Sequence, residues 1–309
     1  MTEQRIIADR YLGIDGGGTK TALLLCDREG NEIRRHYAAA CNPMDIGFDT
    51  AFGILRNAIG EVCRGIPLST VSMFAGIAGG GSADAKRRLS EFFGEFGFSA
   101  YDNDGDNRSI LEAGLGGRDG ISVILGTGIL AQAKYGGSLA RVGGWGYLVD
   151  GGGSGYNLGR DALEAYYAAH DGSGNPTCLT ALIEEKTACT PEALVGRIYA
   201  GGKAFVASFA PLVTEACRSG DDIADAILDR NAACAARLIM ACETYFPDET
   251  ERIPVVLCGG LTADAAYVAR ITKKLETHQR LAVECMRCEP VLGAVMAAKK
   301  LTDTEEISC

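Results

Sequence analysis

The sequence predicts an α/β protein built from two related halves with a cleft between them. The same opening of strand, glycine turn and strand occurs near residue 11 and again near residue 121. Apolar residues at helical spacing follow each opening, so strands and helices are present in both halves. A chain of 309 residues is long enough for two domains, since about 150 residues per domain is usual. We therefore place a first domain at 1–115 and a second at 116–309.

The first half opens with RYLGIDGGGTKTALLLCDREGNEI, in which apolar β-formers flank a run of glycines and REGN is typical of a hairpin turn. TAFGILRNAIGEVCRG then carries an apolar stripe at helical spacing. TVSMFAGIAGG is predicted to be a buried strand, and Ser82 is the expected N-cap of the helix after it. The acidic stretch AYDNDGDNRSILEA follows at 100–113, at a strand-to-helix junction.

The second half repeats this pattern in GISVILGTGILAQAKYGGSLARVGGWG. A further apolar strand, IPVVLCGGL, precedes a helix from about 263. The last helix, EPVLGAVMAAKK, is expected to pack back on one of the domains, and the first domain is the candidate. Periodic apolar residues predict the helices between these segments at 160–170, 191–199, 203–218 and 221–246.

Charge and composition exclude several classes of partner. The net charge of -10 argues against nucleic acid and anionic membranes, because a phosphate polymer needs a basic patch. No stretch of about 18 apolar residues could span a membrane. Twelve cysteines without a secretion signal indicate a reducing cytoplasm. Cys285 and Cys288 form the only close C-x-x-C pair, and with three histidines in the chain we favour buried thiols over zinc.

The first glycine turn, GIDGGGTKT, nearly matches a P-loop, but Thr19 and Lys20 stand in the wrong order. A P-loop also enters a helix, whereas this turn enters a strand. Consecutive glycines still let backbone N–H groups converge on an anion, so a phosphate is one interpretation. Asp15 could then hold Mg²⁺ through water. The alternative is a tight hairpin with a carboxylate at its edge.

The second glycine turn, ILGTGILA, contains a weak dinucleotide-binding fingerprint. That fingerprint requires a following helix, and the residues that follow are β-like and broken by glycines. A second phosphate clamp at Gly126, Thr127 and Gly128 agrees better with the pattern. LCGGL at 257–261 is a third turn of this kind, followed by a helix.

Taken in order, GIDGGGTKT, NDGD, ILGTG, GGWG and CGGL resemble the N-acetylglucosamine kinase-like branch of the BadF/BadG/BcrA/BcrD ATPase family, in the actin-like sugar kinase superfamily. The resemblance implies two ribonuclease-H-like (actin-like ATPase) domains with an interdomain cleft that closes over ATP, Mg²⁺ and a sugar. It places ATP on the residues Asp15, Gly16, Gly17, Gly18, Thr19, Gly126, Thr127, Gly128, Gly259 and Gly260. It places the sugar on Asn42, Asp104, Gly144, Trp145, Gly146 and Asp150, although Asn42 could equally be an ordinary Asn-Pro turn residue.

The resemblance also assigns Asp104 as the catalytic base, because phosphoryl transfer needs a carboxylate near the attacking hydroxyl. Asp106 is the alternative, since the alignment of this loop could slip by two residues. A calcium loop starting at Asp102 would need Gly and Glu where Asn107 and Ala113 stand, so calcium is disfavoured. A solvated acidic turn stays open for Asp102 and Asp106.

The acceptor half departs from the family pattern. Relatives carry Gly-Asp-Glu-Gly-Ser after the GGWG motif, whereas this chain has Asp150 one place early and then Gly151 and Gly152. Relatives also place Ser after Gly-Thr-Gly, where Ile129 and Leu130 stand here. Fewer polar groups should weaken the reading of sugar hydroxyls. A different sugar and a loss of activity are both open hypotheses.

We therefore expect a cytoplasmic, homodimeric, ATP-dependent kinase of an amino sugar or a related hexose. One rival is an ATP-dependent iron–sulfur activator of a dehydratase or reductase, which would need cysteines grouped around a cluster. Another rival is a catalytically weak sugar-binding regulator that kept the fold.

Overall fold

The computed structural model describes residues 8–302. The chain divides there into two compact units, one formed by residues 8–118 with 286–302 and the other by residues 119–285. The chain first passes between the units after residue 118, and the C-terminal segment from residue 286 belongs to the first unit. No helix among the described residues is long and apolar enough to cross a membrane.

The first unit is built on a five-stranded sheet of order β3-β2-β1-β4-β5. Strands β1, β2 and β3 are antiparallel neighbours, whereas β4 and β5 run parallel to β1. Its elements before residue 118 are β1 Arg10–Gly16, β2 Lys20–Asp27, β3 Glu32–Ala39, α1 Pro43–Ile46, α2 Phe48–Val62, β4 Val71–Ile77, α3 Ala83–Gly94, β5 Ala100–Asp104 and α4 Asp106–Leu115.

The second unit has a sheet of the same topology, with the order β10-β9-β6-β7-β8. Here β6, β7 and β8 are antiparallel, and β9 and β10 run parallel to β6. Its elements are β6 Gly120–Leu125, β7 Ile129–Tyr135, β8 Ser138–Gly143, α5 Gly155–His170, α6 Leu179–Thr187, α7 Pro191–Ala207, α8 Ala210–Arg218, α9 Asp222–Glu243, β9 Ile253–Cys258, α10 Ala265–Lys274 and β10 Leu281–Cys285. This repeated topology confirms the predicted α/β fold with two domains of related architecture.

The central strands of both sheets are the most apolar, because they are covered on two faces. All seven residues of β4 are buried, whereas the edge strand β3 has no buried residue. The first core lies between the sheet and the helices α2 and α3, where Leu12, Leu55, Met73 and Phe93 are fully buried. The number of buried residues in a strand therefore depends on whether the strand lies at the centre or at the edge of the sheet.

Two elements of the second unit were not predicted from the sequence. Helix α6 buries only Leu179, Ile183 and Thr187, so its apolar stripe is too short to stand out from its surroundings. Strand β10 lies at the sheet edge and has no buried residue, so the sequence shows no alternation there. Helix α5 also begins at residue 155, five residues before the predicted start of 160.

The last helix, α11 Pro290–Lys300, packs within the first unit against β1 and α4. The helix packs closely because a glycine stands on each side of the contact. A Cβ at Gly293 of α11 would lie 1.9 Å from the Ser109 carbonyl, and a Cβ at Gly13 of β1 would lie 2.6 Å from the Val291 carbonyl. Lys300 pairs with Glu112 on α4. The C-terminal helix thus supports the helix on which Asp106 lies.

Candidate functional site

The first candidate site lies at one edge of the first sheet. Strands β1, β4 and β5 are parallel, so their carboxyl ends meet at this edge. These ends carry Asp15, the glycine segment 79–81 and Asp104, and Asp106 follows as the first residue of α4. Crevices at the carboxyl ends of parallel strands are common ligand sites in α/β proteins.

The β1–β2 turn presents free backbone donors at this edge. Gly17 N–H donates to the Lys20 carbonyl at 3.0 Å and closes the turn. The amides of Gly18 and Thr19 form no backbone hydrogen bond within the described residues, and both residues are exposed. Gly16 has no room for a side chain, because a Cβ there would lie 2.5 Å from Cys41 Sγ. The turn therefore has the donor arrangement that suits an anion.

Asp15 and Asp106 form an acidic pair beside this turn. Burial, and next the negative charge of Asp106, raise the pKa of Asp15 from 3.8 to about 7. Burial raises the pKa of Asp106 to about 6, although the hydrogen bond from the Asn107 amide opposes the shift. Neither carboxylate has an ion pair within the described residues. The positive charge of Lys20 opposes the shift at Asp15 but does not cancel it, so two acids at one site favour a ligand or ion that carries positive charge.

Asp104 has a different environment, although it is only two residues away. Its Oδ2 lies 3.1 Å from Lys86 Nζ on α3, and its Oδ1 accepts from the Gly105 amide at 2.8 Å. Asn103 donates to the Lys86 carbonyl at 3.1 Å, so strand and helix are joined twice. Asp104 is thus at the predicted edge but is ion-paired, whereas Asp106 is the acid that acts on Asp15.

The donor set fits a hard divalent cation with few protein ligands. Among residues 8–302, no three His, Cys, Asp or Glu side chains are grouped to hold a metal. Asp15 and Asp106 offer two carboxylates, and Mg²⁺ commonly binds one or two carboxylates together with waters and phosphate oxygens. The prediction of Mg²⁺ at Asp15 stays a prediction.

Asn42 lies beside the glycine segment that follows β4. Its Oδ1 caps α1 by accepting from the Met44 amide at 3.0 Å, and its Nδ2 donates to Asp45 Oδ2 at 2.7 Å. Gly79 has φ of 76°, and a Cβ there would lie 2.3 Å from Asn42 Oδ1. Asn42 is therefore a turn residue by its bonds and still lies at the candidate edge.

The second unit places its own glycine turn at the matching edge. Gly126 N–H donates to the Gly128 carbonyl at 3.0 Å. The first two amides of α5, from Gly155 and Tyr156, donate to the Gly126 and Thr127 carbonyls at 2.8 and 3.1 Å. The turn's carbonyls are thereby occupied, and the amides of its last two residues form no backbone hydrogen bond in the described part of the chain.

The third turn lies next to the second one. Gly259 has φ of 106°, and a Cβ there would lie 2.5 Å from the Leu125 carbonyl. Gly260 begins a short 3₁₀ turn that leads into α10, and nothing lies within 4 Å of a Cβ at this position. The two glycines thus differ: Gly259 is required by packing, and Gly260 leaves open space above the backbone.

The segment after β8 is a loop with exposed apolar side chains, and Asp150 binds its backbone. Asp150 accepts from the Trp145 and Gly146 amides at 3.0 and 3.1 Å, so its carboxylate holds the loop. Arg141 lies over the Trp145 ring at 4.6 Å from its centroid. The side chains of Trp145 and Leu148 are 71% and 79% exposed. A carboxylate that binds two backbone amides has less capacity left for a sugar hydroxyl.

The residues that depart from the family pattern have structural roles. Ile129 is buried and approaches Gly153, and Leu130 packs against Gly144. Gly152 has φ of 139°, and a Cβ there would lie 2.6 Å from Cys234 Sγ, so position 152 cannot carry a side chain. Gly151 has open space around it.

No sequence pattern pointed to several residues that hold these segments. Lys86 is one charged residue among several on α3, and only the folded chain brings it to Asp104. Asn231 and Tyr267 lie far along the chain from Gly153, yet Asn231 accepts from its N–H and Tyr267 donates to its carbonyl. Residues that position a loop carry no local pattern, because their partners are distant in sequence.

Comparison with known proteins agrees with this architecture. An N-acetyl-D-glucosamine kinase from Dictyostelium discoideum is 29% identical, over 93% of this chain and 97% of that protein. An N-acetylmuramic acid/N-acetylglucosamine kinase from Clostridium acetobutylicum is 25% identical, over 94% and 99%. A solved structure from Chromobacterium violaceum, provisionally named an N-acetylglucosamine kinase, matches with a TM-score of 0.78 and 26% identity, covering 94% of this chain and 99% of that one.

The family comparison covers nearly the whole chain. Residues 12–298 match the model of the BadF/BadG/BcrA/BcrD ATPase family. This match confirms the resemblance inferred from the glycine motifs, and it supports the use of ATP. The chain belongs to the BadF/BadG/BcrA/BcrD ATPase family.

Proposed function

We propose that this protein phosphorylates an amino sugar with ATP as the phosphoryl donor. The observation that carries the proposal is the acidic pair Asp15 and Asp106 beside a glycine turn with free amides. The relatives named as N-acetylglucosamine kinases, similar over the full length, support the choice of an amino sugar. The homodimer stays a prediction.

In the proposed reaction a sugar hydroxyl attacks the γ-phosphorus of ATP and the bond to the leaving oxygen of ADP breaks. The hydroxyl proton passes to a carboxylate of the protein. The free amides of Gly18, Thr19, Thr127 and Gly128 bind phosphate oxygens, and the open space at Gly260 accommodates the adenosine. Mg²⁺ held at Asp15 would neutralise phosphate charge.

Asp106 is the stronger candidate for the base on the geometry of the first unit. Its carboxylate is free of ion pairs in the described residues, and its pKa of about 6 is close to neutral pH, where a general base works best. The N-terminus of α4 stabilises its negative charge. Asp104, the base assigned from the sequence, is held by Lys86 and the Gly105 amide. The assignment of Asp104 as the base stays a prediction, and mutating each residue in turn can show which of the two is the base.

The acceptor site is proposed to favour sugars with an apolar substituent. Trp145 and Leu148 are exposed, and the Asp150 carboxylate is bound to two backbone amides. N-acyl amino sugars combine hydroxyl groups with an apolar acyl group, so they suit such a loop better than glucose does.

An ATP-consumption screen tests the function. N-acetylglucosamine, glucosamine, N-acetylmannosamine, N-acetylmuramic acid and glucose are each supplied with ATP and Mg²⁺, and ADP release is followed. Stimulation by one N-acylated amino sugar is expected. Thermal stabilisation by a sugar without turnover would instead indicate a sugar-binding regulator. A brown anaerobic preparation with cluster absorbance and no stimulation by any sugar would indicate the iron–sulfur activator.

A further inference from the structure

The peptide backbone at Gly153 is held from two sides in the second unit. Its N–H donates to Asn231 Oδ1 on α9 at 2.9 Å, and its carbonyl accepts from the Tyr267 hydroxyl on α10 at 2.8 Å. Both side chains are buried, Asn231 being 1% exposed and Tyr267 fully enclosed. Two buried hydrogen bonds to one residue fix the position of its backbone.

The orientation of the Asn231 amide is itself fixed. Its Nδ2 donates to Asp161 Oδ2 at 2.8 Å and to the Ile227 carbonyl at 3.0 Å. The buried Asp161 carboxylate also accepts from Arg230 at 2.9 Å and from Arg160 at 2.7 Å. Because the amide nitrogen is occupied by these two acceptors, the amide oxygen must face Gly153.

Gly153 is connected by short steps to the turn at 126–128. It precedes Ser154, the N-cap of α5, and the first two amides of that helix bind the Gly126 and Thr127 carbonyls. Gly153 has φ of 95°, and a Cβ there would lie 2.9 Å from Ile129 Cδ1. The backbone between Gly153 and the turn therefore has little freedom to adjust.

Tyr267 also connects this peptide to the third glycine turn. It lies at the start of α10, immediately after the short turn that begins at Gly260. Gly259 approaches the Leu125 carbonyl, next to Gly126. The two turns of the second unit and the start of α5 thus meet around the backbone of Gly153.

We propose that Asn231 and Tyr267 are positioning residues for nucleotide binding. They hold the backbone of Gly153 and so keep the Thr127 and Gly128 amides directed at the phosphates. Both side chains are buried, so their effect passes through the backbone. The inference rests on the proposed function, because it assumes that the 126–128 turn binds ATP.

The variant Tyr267→Phe tests this inference by removing a single hydroxyl. Its matched control is Tyr166→Phe, because Tyr166 is 1% exposed and its hydroxyl has no hydrogen-bond partner among the described residues. We expect Tyr267→Phe to raise the Kd for ADP and the KM for ATP about tenfold, since small displacements of binding groups are costly. The KM for the sugar should not change. The control should leave all three constants unchanged.

Calorimetric titration with ADP gives the Kd without any need for turnover, and thermal melting verifies that each variant is folded. A folded Tyr267→Phe with an unchanged Kd for ADP overturns the inference, and so does an equal rise in the KM for the sugar. If Tyr267→Phe does not fold, Asn231→Ser provides the same comparison from the other side of the peptide. Absence of sugar-dependent turnover in a wild type that binds ADP overturns the proposed function alone.

Discussion

The glycine turns after β1 and β6 occupy the same place in sheets of the same topology, but their surroundings differ in charge. Strand β1 carries Asp15 next to its last residue, whereas β6 ends in Ile124 and Leu125. Strand β5 leads into Asp104 and Asp106, whereas β10 ends in Cys285. The first unit therefore combines backbone donors with acids, and the second offers neutral backbone donors. Under the proposed function, this difference would place proton transfer in the first unit, with the second unit contributing binding.

The two turns also differ in how they are held. The first lies against Cys41 and Ile77 of its own unit, and the Ala78 amide donates to the Gly16 carbonyl at 2.7 Å. The second has its carbonyls bound by the N-terminus of α5. The start of α5 fixes the second turn through backbone hydrogen bonds. Because α9 and α10 hold Gly153, just before α5, the second turn also depends on how these helices pack.

The largest expected effect concerns the acids of the first unit. Asp106→Asn should lower kcat about 1000-fold, because a positioned general base contributes on the order of 10²–10⁴. Asp104→Asn, which keeps the shape of the side chain, should lower kcat less than about tenfold, since it removes one partly exposed ion pair. Initial rates of ADP release with saturating sugar give both values. An equal or larger loss in Asp104→Asn would identify Asp104 as the base.

Next in size are paired glycine substitutions in the two turns. Gly16→Ala and Gly259→Ala should each lower the free energy of unfolding by about 2 kcal/mol, because each Cβ would lie 2.5 Å from a neighbouring atom. Gly18→Ala and Gly260→Ala have open space and should leave stability unchanged. Urea denaturation measures these differences.

The same two open positions distinguish a structural turn from a binding turn. If nucleotide approaches the backbone at Gly18 and Gly260, the alanine variants should raise the Kd for ADP while the urea midpoint stays constant. An unchanged Kd in both variants would contradict nucleotide binding at these turns.

A smaller effect is expected in the pH dependence of stability. The folded protein keeps the Asp15 proton up to a pH of about 7, whereas an unfolded chain releases it near 3.8. The folded state thus binds more protons between these values, so this group lowers the free energy of unfolding as the pH rises. Asp15→Asn should therefore melt a few degrees higher than wild type at pH 8, with little difference at pH 4. A lower Tm at pH 8 would contradict the burial argument.

The comparison residue in the second unit is Asp221. Burial would raise its pKa, but hydrogen bonds from the Ala224 amide, the Thr177 hydroxyl and the Cys178 amide outweigh burial and lower the pKa. Asp221→Asn should accordingly lower the Tm at pH 8. If Asp15→Asn raises the Tm at pH 8 and Asp221→Asn lowers it, the two acids differ in role, with Asp15 kept for chemistry and Asp221 capping a helix.

The smallest effect is expected for Lys86→Met. The side chains of Lys86 and Asp104 are 44% and 31% exposed, and such pairs contribute about 0–1 kcal/mol. We expect kcat to fall less than about threefold, within the range that such an energy allows. Arg87→Gln on the same helix is the control, since among residues 8–302 Arg87 pairs only with exposed Asp84 and Glu91. A loss as large as that of Asp106→Asn would show that Lys86 contacts the substrate.

Much of this fold was predictable because its signals are local. The alternation of strands, the glycine turns after β1, β6 and β9, and the N-cap at Ser82 each arise from a few neighbouring residues. Helix α6 and strand β10 were missed because few of their residues are buried. The return of α11 to the first unit depends on Gly13 and Gly293, whose close packing becomes visible only in the folded chain.

Local periodicity and turn chemistry in the sequence predict the α/β class, the repeated architecture and the order of the glycine turns, and this order identifies the family. Only the folded chain shows which acid lies beside Asp15: burial raises the pKa of both Asp15 and Asp106, and the negative charge of Asp106 raises that of Asp15 further. Only the folded chain brings Asn231 and Tyr267 to the backbone of Gly153. Such contacts have no sequence signature, because any residue of suitable reach could make them once the helices are packed.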